Sequence, residues 1–299
     1  MIGRVATFAH AQSLVASGMK LQAKYADLHA QEASGVKSET LGGLGGDAAQ
    51  VLRIGARQTA LAADTAAATS AQAYVQAGYS AVGDIADLAT SIKSQLASVS
   101  STDDSSALQA KAQSWLEDLQ GMLNAQHAGS YLFAGQASDQ APVDFSAEAF
   151  TSSTDAATAN DGYFSGTSTG RSLTTSDGQS IDLTVQADNP AFEKLARALA
   201  AIAASPADAT VTSAAFELVG QSVDALGTLQ ETLSVHANAL EDLAARNKAK
   251  SDTLTSLASS LNGADLSAAA VQVVQIQTQI ESLYSTISKL ASLSLAKYL

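Results

Sequence analysis

The chain has 299 residues and no cysteine, so it can build neither a disulfide framework nor a thiolate metal site, and a net charge of −13 disfavours nucleic acid and anionic membrane as partners. Hydrophobic residues make up 46% of it, enough for a core, but only 5% are aromatic and much of the rest is alanine. Alanine favours helix yet buries little area per residue, so stability has to come from long helix-to-helix contact. The three prolines, Pro142, Pro190 and Pro206, all lie in the middle, leaving residues 1–141 and 207–299 free of the residue that most reliably stops a helix.

Charge is unevenly placed. Arg4, Lys20, Lys24 and Lys37 nearly balance Asp27, Glu32 and Glu39 at one end, and Asp265 and Glu281 balance Lys289 and Lys297 at the other. The net negative charge therefore sits in residues 41–264, where it keeps the surface solvated, while near-neutral ends can crowd together. No apolar run reaches the roughly 18 residues needed to cross a bilayer. The opening stretch, interrupted by His10, Gln12 and Ser13, reads as amphipathic helix rather than as a cleavable export signal.

The first arm is predicted over Arg4 to Ala33, with Leu14, Leu21 and Leu28 seven apart and Ala11, Gly18 and Tyr25 in the alternate heptad position. A surface helix docked on a core would show the same pattern. Gly35 and the run Leu41 to Gly46 break the chain. This run lacks the Gly-Lys-Ser/Thr ending of a phosphate-binding loop, and Asp47 reads as the cap of a second helix. That helix extends about fifty residues, through Val51, Ile54, Leu61, Val75, Val82, Ile85 and Ile92. A polar turn at Ser101 to Ser105 is followed by a third helix, through Leu108, Trp115 and Leu119 to about His127.

From Gly129 the character changes. Ser130 to Gly135 reads as a short strand, Ala147 to Gly170 as loop, and Arg171 to Thr175 with Ser180 to Val185 as a hairpin turning at Ser176-Asp177-Gly178-Gln179. Asn189-Pro190 caps a helix from Ala191 to Ala204. Helical pattern resumes after Thr212, with Arg246 to Ser251 on a polar face, and reaches a joint at Asn262-Gly263.

The last stretch, Ala264 to Leu299, carries an unbroken seam: Leu266, Ala269, Val273, Ile276, Ile280, Leu283, Ile287 and Leu290 step by three and four. A helix so poor in charge needs a second helix to cover it, and the polar tail that usually ends a frayed terminus is missing after Leu295 and Leu299. The expected fold is mainly α, with long antiparallel helical arms from both termini forming a bundle or coiled coil around a small α/β insert. The expected divisions are a terminal assembly domain (1–40 and 264–299), a helical rod (41–128 and 207–263) and the insert (129–206). The candidate assembly interface is Leu14, Leu21, Leu28, Leu266, Val273, Ile276, Ile280, Leu283, Ile287, Leu290, Leu295 and Leu299.

Chemistry has no obvious seat. His10, His29, His127 and His236 are scattered without ligand spacing, the pairs Asp103-Asp104 and Glu241-Asp242 lie in polar surroundings, and no serine sits in a nucleophile elbow. No catalytic residue, cofactor or metal is expected.

Several short motifs carry a family resemblance. Ala264-Asp265-Leu266, Gln275, Gln279, Leu283-Tyr284, Leu293-Ser294-Leu295 and Tyr298-Leu299 resemble the C-terminus of bacterial flagellins and their hook-associated relatives. Ser34-Gly35-Val36-Lys37 resembles the family's break after the first helix. Tyr131-Leu132-Phe133-Ala134-Gly135, Pro142-Val143, Tyr163-Phe164-Ser165-Gly166 and Asn189-Pro190-Ala191-Phe192 are most similar to the hook-associated protein 3 branch, as is Arg4-Val5-Ala6-Thr7. The Gly-rich Leu41 to Gly46 departs from the family, where many members have a Pro-Ser-Asp-Asp turn. The resemblance implies a structural, non-enzymatic subunit at the hook-filament junction of the flagellum, exported through the flagellar type III channel with a chaperone's help. Its implied partners are copies of itself and neighbouring hook-associated and flagellin subunits. Filament flagellin, or a surface adhesin on the same scaffold, are the alternatives. Weakly charged arms awaiting partners are expected to order as they assemble.

Overall fold

The computed structural model describes residues 2–98, 105–151 and 158–295; the side chains of residues 2–9, 11 and 290–295 are not described. Among the described residues the chain forms α1 (Ile2–Ser34), a 3-10 turn (Leu41–Asp47), α2 (Ala48–Ala97), α3 (Ser105–Leu123), β1 (Gln126–His127), β2 (Ser130–Tyr131), β3 (Ser172–Thr174), β4 (Ser180–Asp182), α4 (Pro190–Ala204), α5 (Ala209–Asn262) and α6 (Leu266–Leu295). The expected fold class holds: long helices from both ends pack in antiparallel pairs, and a small strand-bearing insert lies between them. The chain divides into two compact units, Met1–Thr59 with Lys250–Leu299, and Ala60–Ala249.

In the Ala60–Ala249 unit, α2 and α5 run antiparallel. A Cβ added to Gly83 would approach the Gln230 amide, and one added to Gly220 would approach Lys93, so ten residues forward on α2 matches ten back on α5. Each helix carries a seven-residue seam. On α2 it is Leu61, Ala68, Val75, Val82, Ala89 and Leu96, all buried. On α5 it is Val219, Leu226, Leu233 and Leu240, also buried, and then Asn247. Asn247 is only 3% exposed, so it does not lie on the polar face expected for Arg246 to Ser251. Its neighbours Arg246 and Lys248 are the ones facing solvent.

Four local expectations are corrected. Asp47 does not cap a helix; it closes the 3-10 turn, which runs into α2 at Ala48 after a break at Gly45 (φ 53°). The third helix stops at Leu123 rather than His127. Asn124 then turns its amide on Val143, donating to the carbonyl (2.9 Å) and accepting from the N–H (3.1 Å), which holds the chain away from the helix. The strand expected over Ser130 to Gly135 is only Ser130–Tyr131, paired with Gln126–His127 across Ala128 and Gly129. Both loop residues have positive φ (50° and 80°), as a two-residue type I′ hairpin requires. Finally, α5 begins at Ala209 rather than after Thr212. The Asp208 carboxylate accepts from the N–H groups of Thr210 (2.8 Å) and Val211, an N-cap whose hydrogen bonds hold that carboxyl below its usual range. Most of the expected turn at Ser101 to Ser105 lies outside the described residues.

The second hairpin forms as expected. Leu173 pairs with Ile181, and Gly178 (φ 79°) occupies the left-handed position in the loop closing Thr175 on Gln179. Asn189 caps α4 by accepting from the N–H of Ala191 (2.9 Å). The insert does not have a core of its own. Phe133 and Phe192 meet edge to face at 5.4 Å within one continuous apolar cluster that also takes in α2, α3 and α5. Ser222 on α5 donates to the Ala191 carbonyl, and Gln109 on α3 donates to that of Ala203, so α4 is held from both sides.

One ion pair lies wholly inside this unit. Arg197 Nε is 2.8 Å from Glu193 Oε1, one helical turn away, with the two side chains 1% and 3% exposed. Glu193 Oε1 also accepts from the Asn160 N–H (2.8 Å), tying the preceding loop to α4. Removing one partner strands a buried charge. Glu193→Gln is therefore expected to cost about 3–5 kcal/mol in urea unfolding, whereas the double change Glu193→Leu with Arg197→Met restores most of that loss.

Candidate assembly interface

The arm unit, Met1–Thr59 with Lys250–Leu299, is built on two joints that meet. Gly35, with φ 72°, ends α1 in the left-handed conformation and donates back to Gln31. Beyond it Val36 forms an antiparallel bridge with Gly263, Lys37 N–H donates to the Asn262 carbonyl (2.7 Å), and Ala264 N–H donates to the Gly35 carbonyl (3.0 Å). The Lys37 ammonium reaches the Leu261 carbonyl (2.7 Å) in the last turn of α5, where the helix dipole favours a cation. Asp265 opens α6 by accepting from the Ala268 N–H (3.0 Å). The sequence shows Gly35 and Asn262-Gly263 only as two separate breaks. Their pairing across more than two hundred residues has no local signal.

From these joints α1 and α6 run as an antiparallel pair. Leu28, Ala269 and Ile276 are buried between them, and Leu21, Tyr25, Val273 and Ile280 pack against those three. Higher up, Gly18 leaves room for Leu283, whose Cδ2 would lie 3.3 Å from a Cβ at that position. Gln22 donates to the Tyr284 hydroxyl. Of the residues expected at the interface, this intramolecular seam uses Leu21, Leu28, Val273, Ile276, Ile280 and Leu283. Leu14 and Ile287 are half-buried, and Leu266 is mostly exposed. Leu290 and Leu295 fall in α6 with undescribed side chains, and Leu299 lies outside the described residues.

A second set of apolar residues, not singled out by the heptad pattern, faces away from the seam. Val15 and Met19 lie one turn apart on α1, and Val271 and Val274 one turn apart on α6, each between 46% and 68% exposed. Tyr284 is also 53% exposed, with its hydroxyl accepting from Gln22 on α1. A lone exposed valine is ordinary, but paired positions on both helices leave apolar rows open to solvent. A seven-residue seam does not mark these rows, because they lie on the outward faces of the helices, off the seam positions.

The insert offers a different surface. A polar cleft of about 440 Å³ is lined by Ser168, Gly170, Asp182, Thr184, Gln186, Asp188 and Asn189 among others. Burial pushes the Asp188 carboxyl up, and burial likewise pushes the Tyr163 hydroxyl, which donates to the Ala187 carbonyl (2.7 Å), well up. The cleft is lined mainly by hydrogen-bonding groups, and within it the Thr184 hydroxyl donates to the Asp182 carboxylate (2.5 Å). No group of three His, Cys, Asp or Glu among the described residues is placed to hold a metal, and no helix among them is long and apolar enough to cross a membrane.

If the α1–α6 seam holds the arms, then Ile276→Asp, which buries a charge in it, unfolds both. Far-UV circular dichroism should lose the helical signal of the arms, while Trp115, packed in the Ala60–Ala249 unit, keeps its native fluorescence.

No family model and no curated protein matches the sequence. Solved structures do match the fold. A flagellar hook-associated protein assigned in Vibrio parahaemolyticus superposes with a TM-score of 0.60 at 14% identity, covering 71% of this chain and 96% of that one. FlgL of Bacillus cereus superposes with a TM-score of 0.50 at 13% identity, covering 65% of this chain and 98% of that one. The chain thus shares the fold of these two flagellar proteins over nearly their whole length.

Proposed function

We propose that this protein is a structural subunit of the bacterial flagellum that joins hook to filament, assembling through its terminal helices without catalysing a reaction. The observation that carries the reading is the stem itself. Helices from opposite ends of the chain pair through a thin seam, and each keeps an apolar row turned outward at Val15 and Met19 or Val271 and Val274. A head-to-tail contact between such surfaces does not close as a dimer, so subunits of this kind can add as a layer on a helical hook end. The shared fold with a hook-associated protein and with FlgL, together with the motifs at Tyr131 to Gly135 and Asn189 to Phe192, supports the junction over the filament body. Filament flagellin would use arms of the same kind and is the alternative.

On this reading the protein works outside the cell after flagellar type III export, with a chaperone guarding the arms beforehand. Its partners are further copies of itself and the neighbouring hook-associated and flagellin subunits. The acidic middle remains solvated, and no cofactor has a role.

The stem makes separable demands on inward and outward residues. Val274→Asp puts a charge on the outer row, so the monomer keeps its helical circular dichroism but loses attachment to hook ends. A motile strain carrying Val274→Asp and Val271→Asp together would contradict the assembly reading.

A further inference from the structure

The seven-residue seam of α5 is apolar at every step but one. Asn247 sits there 3% exposed, and its Nδ2 has no hydrogen-bond partner among the described residues. The register set by Gly83 with Gln230 and by Gly220 with Lys93, carried along the two helices, brings Asn247 level with Ala66 on α2. That stretch of α2 is small and polar at its edges, from Asp64 and Thr65 to Ala68. It leaves room for the amide, yet the carboxylate nearby is already committed, since Asp64 accepts from the backbone and hydroxyl of Ser176.

Three further observations fall at the same level. The continuous apolar core of the Ala60–Ala249 unit reaches Ala68 on α2 and Leu243 on α5 and stops there. Leu61, the next α2 seam residue, is 1% exposed but does not belong to that core. The division into two compact units lies a few residues further along, after Thr59 on α2 and before Lys250 on α5.

We infer that Asn247 is a break in cooperativity built into the α2–α5 pair, so that the helical segments 48–61 and 250–262 open without unfolding the core that carries the insert. A seam leucine loses apolar burial when the helices part, whereas Asn247 gains the hydrogen bonds with water that its buried amide lacks. Opening is thus favoured at this level relative to every other step of the seam, and local openings of this kind make up the low-stability units of a fold. In a chain that assembles through its stem, the break lets the stem side be reshaped on its neighbours while the insert stays folded. That use rests on the proposed function; the break itself is a property of the single chain.

Hydrogen exchange of the full-length monomer, read by mass spectrometry, tests it without any assembly. In Asn247→Leu, peptides covering 48–61 and 250–262 are expected to exchange at least about tenfold more slowly, the order of a buried orphan amide, while peptides covering Ile85 to Ile92 and Leu226 to Leu233 are unchanged. Asn247→Met, whose flexible side chain fits where leucine does not, should slow the same peptides. If neither variant slows them, or if both regions slow equally, Asn247 is not a break and the inference fails.

Discussion

Burial of small apolar side chains between helices far apart in sequence is the constraint on which this molecule depends. Alanine-rich helices gain little per residue, so the contact has to be long, and α2 with α5 supplies it over 50 and 54 residues. Within the arm unit α5 ends at Asn262 beside Val36 and Lys37, and the bridge from Val36 to Gly263 sets α6 against α1. Everything in the stem follows from that closure. Without it, neither arm has a partner for its seam, and a lone helix so poor in charge is marginal in water.

The two pairs differ in how much they bury, and that difference divides the labour. Around α2 and α5 the insert adds Phe133, Tyr163 and Phe192, α3 adds Leu119 and Leu123, and the result is one deep core. Between α1 and α6, among the described side chains, Leu28, Ala269 and Ile276 are the buried ones. A seam with so little described burial stabilises its pair weakly, and under the proposed function neighbouring subunits would add the missing contact. The core of the Ala60–Ala249 unit is cross-tied by the Glu193–Arg197 pair and by Asp64 on Ser176.

Much of this was legible in the sequence, because the signals were periodic or chemical. The absence of proline outside the middle gave long helices, the steps through Leu266 to Ile287 gave the arm seam, and Asn189-Pro190 gave the start of α4. Gly178 marked one hairpin. What stayed hidden depends on tertiary partners. Asn124 stops α3 by bonding to Val143, nineteen residues on, and Asp208 looked like loop because alanine and threonine follow it. Asn247 looked polar and therefore exposed, since its neighbours are charged and only the register of α2 shows which face it takes. At the candidate interface, Leu21, Leu28, Val273, Ile276, Ile280 and Leu283 pack within the chain's own α1–α6 seam. The outward rows at Met19 and Val274 needed the structure to be seen.

The proposed junction role requires that the stem add to hook ends without extending into a filament from protein alone. The most direct test is negative-stain electron microscopy of the purified protein under polymerising conditions, alone and with short hook fragments. Capped hook ends with no extension from protein alone are the predicted result. Long filaments formed by the protein alone would contradict the junction role and assign it to the filament.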